Sequence, residues 1–100
     1  MAGPIKPGYL YATISYNANG GINPPPPDIV SEMYIGAGSH SVTVFMTSAI
    51  PTRDGYEFLR WNTQSEGGGI SYPPGGAETF YFTTTNDGGN QYDSRLLYAI

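Results

Sequence analysis

Pro51-Thr52-Arg53-Asp54-Gly55-Tyr56-Glu57-Phe58-Leu59-Arg60-Trp61 joins a stiff lead-in, a tight turn and a run of large rings. Pro51 fixes its own φ and biases Ile50 toward extended backbone, while Asp54-Gly55 supplies a turn in which glycine accepts positive φ. Tyr56, Phe58 and Trp61, the single tryptophan, follow directly. Rings of this size just after a turn read as the apolar face of a strand entering a core. The stretch therefore speaks for architecture rather than chemistry, with a strand over 57–63. A bulge is expected at Arg60, where the alternation slips between Phe58 and Trp61.

Working outward, Leu10, Ala12, Ile14 and Tyr16 alternate with Tyr9, Tyr11, Thr13 and Ser15, a period of two that predicts a strand over 9–17. Asn19-Gly20-Gly21 ends it, and Pro24-Pro25-Pro26-Pro27 then runs as a short polyproline II segment, read as a stiff spacer or loop wall. Residues 28–35 are ambiguous between a helical turn and a strand, because Ile29, Val30, Met33 and Tyr34 are too few to decide. After the Gly36-Ala37-Gly38 break, Val42, Val44 and Met46 alternate with Thr43 and Phe45 in a strand over 41–46. Ser65 to Gly69 is a mobile loop by composition, Ile70 to Tyr72 a brief extended piece, and 78–85 a further strand. Leu96 to Ala99 closes the chain as a buried strand.

One hundred residues fit a single domain, and cysteine is absent, so no disulfide, zinc-thiolate site or thiol nucleophile exists. Eight acidic against four basic residues give a net charge of −4, with Lys6, Arg53, Arg60 and Arg95 scattered. Neither a nucleic acid backbone nor an anionic membrane is the expected partner of such a chain. The first eight residues carry no apolar signal core and no stretch approaches the ~20 apolar residues that span a bilayer, so the chain reads as soluble and unexported.

The chemistry-bearing residues form no constellation. His40, the single histidine, has no triad order around it and is expected to be a solvated loop imidazole. Glu57, Glu66, Glu78, Asp54, Asp87 and Asp93 could supply the opposed carboxylates of a glycosidase, but sequence places no pair at the needed separation. Asn86, Asp87, Asn90 and Asp93 make an oxygen-rich loop that fails the EF-hand spacing and reads more simply as a glycine-rich turn. The glycine runs lack the lysine of a phosphate loop. No catalytic residue, metal site or cofactor is expected.

Four motifs together resemble the internalin B-repeat family, also called the Listeria-Bacteroides repeat. They are Ile14-Ser15-Tyr16-Asn17-Ala18-Asn19-Gly20-Gly21, the Pro51–Trp61 stretch, Tyr72-Pro73-Pro74-Gly75 and Leu97-Tyr98-Ala99, in family order from about Tyr9 onward. Arg60 stands where that family usually has glycine. The resemblance implies a β-dominated fold, all-β to α+β: a compact β-grasp-like domain with at most one short helix, spanning residues 9–100 behind an N-terminal arm of residues 1–8. It also implies a non-enzymatic structural or binding module, since such repeats occur in cell-surface and phage-associated proteins. Tyr16, Tyr56, Tyr72 and Tyr98 lie on its signature and are expected to pack inward. Tyr9, Tyr11, Tyr34, Tyr81 and Tyr92 are expected to be exposed, and with Pro4, Ile5 and Pro7 of the arm to contact a protein partner.

With no visible export signal or second copy, a phage virion accessory protein, decorating a capsid or tail and bound to a major structural protein, is the expected setting. A fragment of a bacterial surface adhesin and a carbohydrate-binding module are the alternatives. Three exposed tyrosines on one face would favour a protein interface over sugar stacking.

Overall fold

The computed structural model describes residues 3–100, and among them there is no helix. Seven strands follow in order: β1 (Pro7–Asn17), β2 (Asp28–Ile35), β3 (Gly38–Phe45), β4 (Trp61–Asn62), β5 (Ser71–Tyr72), β6 (Ala77–Thr84) and β7 (Gln91–Ala99). Five make one sheet in the order β2-β1-β7-β4-β5, and β3 pairs with β6 as a separate two-stranded ribbon. β1 and β7 run parallel at the sheet centre, Leu10 opposite Gln91 through Asn17 opposite Tyr98, while β2 lies antiparallel on the other side of β1. A first hairpin whose opening strand runs parallel to the last strand is the β-grasp arrangement. Here the β3–β6 ribbon covers the face on which the core is built.

Strand parity explains the core. Leu10, Ala12, Ile14 and Tyr16 of β1, Tyr34 of β2, Trp61 of β4 and Leu97 of β7 turn inward and meet Val42, Val44, Phe80 and Phe82 of the ribbon. Trp61 is fully buried, its ring 4.7 Å from that of Tyr16 and 5.0 Å from Phe58, which meets it edge-on. The layer is thin, and the body is drawn out to 66 × 23 × 18 Å. A thin layer concentrates stability in the few large rings that fill it.

Residues 28–35 are strand throughout, because β1 presents an edge long enough to pair Asp28 through Ile35 and the apolar spacing fits a period of two as well as a helix. The strand expected over 57–63 shrinks to Trp61–Asn62, since only the end of β7 and Ile100 lie opposite that segment. The bulge at Arg60 is present: the Ile100 carbonyl accepts from both Leu59 N (2.7 Å) and Arg60 N (3.4 Å), and Ile100 N donates back to Arg60 O. Two residues thus face one, with the extra residue absorbed just before Trp61 turns inward.

The glycine-rich loop after β4 is built around a side chain. Asn62 is fully buried; its amide donates to Gly67 O, Gly69 O and Ser71 Oγ, and its carbonyl oxygen accepts from Gln64 N and Gly69 N. A buried amide satisfied in this way fixes backbone that composition alone marks as mobile. Of the N-terminal arm, residues 1 and 2 lie outside the described residues. Lys6 N donates to Asn86 O, β1 already begins at Pro7, and Gly8 pairs with Tyr34.

Trp61→Ala removes the largest buried ring and is expected to lower unfolding free energy by about 3–5 kcal/mol, read as a shifted urea midpoint by circular dichroism. An unchanged midpoint would contradict this description of the core.

Candidate functional site

The face of the five-stranded sheet that points away from the ribbon is uncovered over its β2-β1-β7 portion. By parity it carries Ile29, Ser31, Met33 and Ile35 of β2, Tyr9, Tyr11, Thr13 and Ser15 of β1, and Tyr92, Ser94, Leu96 and Tyr98 of β7. Register places Met33 beside Tyr9, Tyr11 beside Tyr92 and Ser15 beside Leu96. The Tyr11 and Tyr92 rings stack at 4.8 Å and 9°, and Tyr9 tilts against Tyr11 at 6.2 Å. Tyr9, Ile29, Met33, Ile35, Tyr92 and Leu96 are each between 46 and 73% exposed. Together they present on the order of 700 Å² of side-chain surface, above the few hundred Å² that monomers ordinarily leave bare. No charged side chain interrupts this face between β2 and β7.

Of the residues expected to contact a partner, Tyr9, Tyr11 and Tyr92 share this face, but Tyr11, expected exposed, is half-buried between the other two rings. Pro4, Ile5 and Pro7 are exposed, Pro7 lying opposite Ile35 at the end of β1. Tyr81 is exposed on the outer side of the ribbon, across the molecule from the other three. Tyr34 corrects the expectation. It is 3% exposed, on the inner side of β2, with its hydroxyl donating to Gly89 O and its ring 5.5 Å from that of His40. Gly8 makes room for it, since a Cβ there would sit 2.8 Å from the ring and 2.7 Å from Gly88 O.

Tyr98, expected inward, lies half-buried on the outer face, and Tyr56 corrects the same expectation. Tyr56 is 66% exposed, with the Arg53 guanidinium 4.0 Å above its ring, because Phe58 rather than Tyr56 reaches Trp61. Sequence reading missed the apolar residues of β2 on the outer face. Once 28–35 is read as a strand, the spacing of Ile29, Met33 and Ile35 reveals them.

His40 lies in β3 rather than in a loop, half-buried, with Nε2 enclosed and making no hydrogen bond among the described residues. The oxygens of the 86–90 loop are taken by the chain itself. Asn86 Oδ1 accepts from Ala37 N, Asp87 Oδ1 from Thr85 Oγ1 and Gly89 N, and Asn90 Oδ1 from Tyr9 N. The Thr85 hydroxyl, then the Gly89 amide, hold the Asp87 carboxyl below the usual carboxylate range. A cleft of about 80 Å³ lies beside Asn19, Pro51, Arg53, Tyr56, Phe58 and Ile100. That is well under the volume of ordinary small-molecule sites.

A profile of the Listeria-Bacteroides repeat domain matches residues 13–99. The chain belongs to the Listeria-Bacteroides repeat family. The match takes in the second half of β1 from Thr13, all of β2 through β7 and the Pro51–Trp61 signature. No curated protein and no solved structure matches the chain significantly. Listeria-Bacteroides repeats are surface and structural modules, so the bare sheet face of this copy is the feature to be explained.

Two tyrosines bond acids at the rim of the core: Tyr16 OH donates to Asp28 Oδ2, which also accepts from Thr47 N, and Tyr72 OH donates to Glu78. Burial, then these hydrogen bonds, raise both phenols, Tyr72 to about 12 and Tyr16 further. The folded state favours their neutral forms. Their contribution is therefore complete below pH ~10, the unfolded value, and is lost as pH rises through the folded values. Phenolate absorbance of the chain beside its Tyr16→Phe and Tyr72→Phe variants should show Tyr16 and Tyr72 resisting ionisation until the chain unfolds in alkali. Ionisation of both phenols near pH ~10 in the folded chain would contradict the two pairs.

Proposed function

We propose that this chain is a non-enzymatic binding module that docks through the outer face of its five-stranded sheet onto a larger protein. The carrying observation is the continuous, uncharged band of Ile29, Met33, Tyr9, Tyr11, Tyr92 and Leu96 on a sheet whose other face is already packed. Aromatic and methionine side chains over a few hundred Å² match the composition of protein interface cores. Sugar stacking is less well supported, because the flat faces of Tyr11 and Tyr92 are turned on each other rather than outward.

The setting we infer is a phage particle, in which the module decorates a capsid or tail by seating on a major structural protein. Two features fit seating on a larger protein, in this setting or another. A repeat with a thin core gains from leaning on a neighbour, as repeats in arrays lean on one another. A net charge of −4 without a basic stripe suits a protein partner better than nucleic acid or an anionic membrane. Display on a bacterial cell surface is the alternative, and both settings use the same face. Pro4 and Ile5 of the arm are exposed next to the start of β1, and we include them in the docking surface.

Co-sedimentation with purified particles tests the docking. Tyr92→Asp and Leu96→Asp place a charge in the middle of the band and are expected to weaken binding at least tenfold with an unchanged circular dichroism spectrum. Thr83→Asp on the outer side of the ribbon should have no effect. Equal binding by all three would reject the face as the docking surface. Removal of residues 1–5 spares Lys6, Pro7 and Gly8, so the fold should persist while binding weakens; full binding would remove the arm from the interface.

A further inference from the structure

We propose that β2 pairs edge to edge with β2 of a second copy of this chain, joining two five-stranded sheets into one. β2 is an edge strand of eight residues, with no lysine, proline or bulge along it to discourage pairing. The opposite edge, β5, is two residues long, and in the ribbon the Thr83 carbonyl of β6 is capped by Gln91 Nε2.

Backbone direction fixes which groups β2 offers. Tyr9 N points to the β7 side, where it donates to Asn90 Oδ1, so Gly8, Leu10, Ala12 and Ile14 turn their amides and carbonyls toward β2. Their partners Tyr34, Glu32, Val30 and Asp28 bond β1, which leaves the amides and carbonyls of Ile29, Ser31, Met33 and Ile35 facing outward. Those are the same residues whose side chains lie on the bare face.

Charge excludes some antiparallel registers, and overlap separates the rest. A twofold axis at Glu32 would set two Glu32 carboxylates directly opposite each other, and an axis at Val30 would set Asp28 against Glu32. Like charges in that position destabilise a sheet. An axis at Ser31 places Glu32 against Val30, Asp28 against Tyr34 and Ile29 against Met33, so that no acid directly faces an acid. An axis at Met33 also keeps the acids apart but pairs only residues 31–35 within β2, whereas the axis at Ser31 pairs residues 28–34. About six intermolecular backbone hydrogen bonds form in this register. The edge is therefore complementary to itself under a twofold, the commonest symmetry of protein pairs. The bare faces of the two copies become continuous, and the docking surface doubles. An edge pairing alone lies at the small end of specific interfaces, so the dimer should be reversible and concentration-dependent.

Sedimentation equilibrium of the whole chain, from low-micromolar to near-millimolar, should show mass rising from 10.7 kDa toward twice that value. Ser31→Lys, which opposes two ammonium groups at the axis, and Ser31→Pro, which removes the axial donor, should each weaken association at least tenfold. Ser41→Lys on the outer side of the ribbon should leave it unchanged. Amide exchange of the unaltered chain needs no variant: protection of Ile29, Ser31 and Met33 should rise with concentration, while Val30 and Glu32, already paired with β1, should not change. A monomer across the whole range overturns the proposal. So does a dimer in which Ile29, Ser31 and Met33 gain no protection, or one that Ser31→Lys leaves intact.

Discussion

Parallel pairing between β1 and β7 is the constraint on which the rest of the molecule hangs. It joins the first strand to the last, from Leu10 opposite Gln91 to Asn17 opposite Tyr98, so the centre of the sheet forms only when both ends of the chain are in place. Parity in those two strands then divides every neighbouring side chain between two fates. Leu10, Ala12, Ile14 and Leu97 go to the core, whereas Tyr9, Tyr11, Tyr92 and Leu96 go to the opposite face. Pairings this distant in sequence carry a loop-closure cost, which the ring cluster around Trp61 offsets.

Much of this could be read from local pattern. The alternation over 9–17 marks both faces of β1, the slip at Arg60 marks the bulge against Ile100, and the signature motifs mark the repeat family. Other features depended on partners that sequence cannot supply. The inward turn of Tyr34 follows from its pairing with Gly8 and the space that glycine leaves. The exposure of Tyr56 follows from Phe58 taking the place beside Trp61. Asn62 looks like an ordinary polar residue after a tryptophan, yet it orders the whole following loop because three acceptors and two donors happen to converge on it.

The candidate surface was half legible. Three of the tyrosines expected to be exposed do lie together, but Tyr81 faces away from them and Tyr34 is inside. The apolar contribution of β2 was hidden because residues 28–35 satisfy helical and strand spacing alike, and only the available edge of β1 decides between them. Core and bare face thus have one origin: the same strand parity that fills one side of the sheet with Leu10, Ile14 and Leu97 leaves the other side apolar and uncovered.

The most direct test of that account is oxidative footprinting of the chain, free and seated on purified particles. Tyr9, Met33, Tyr92 and Leu96 should lose reactivity on docking, while Phe45, Tyr56 and Tyr81 keep theirs. Protection of Phe45 and Tyr81 with Tyr92 still reactive would place the contact on the ribbon and contradict it.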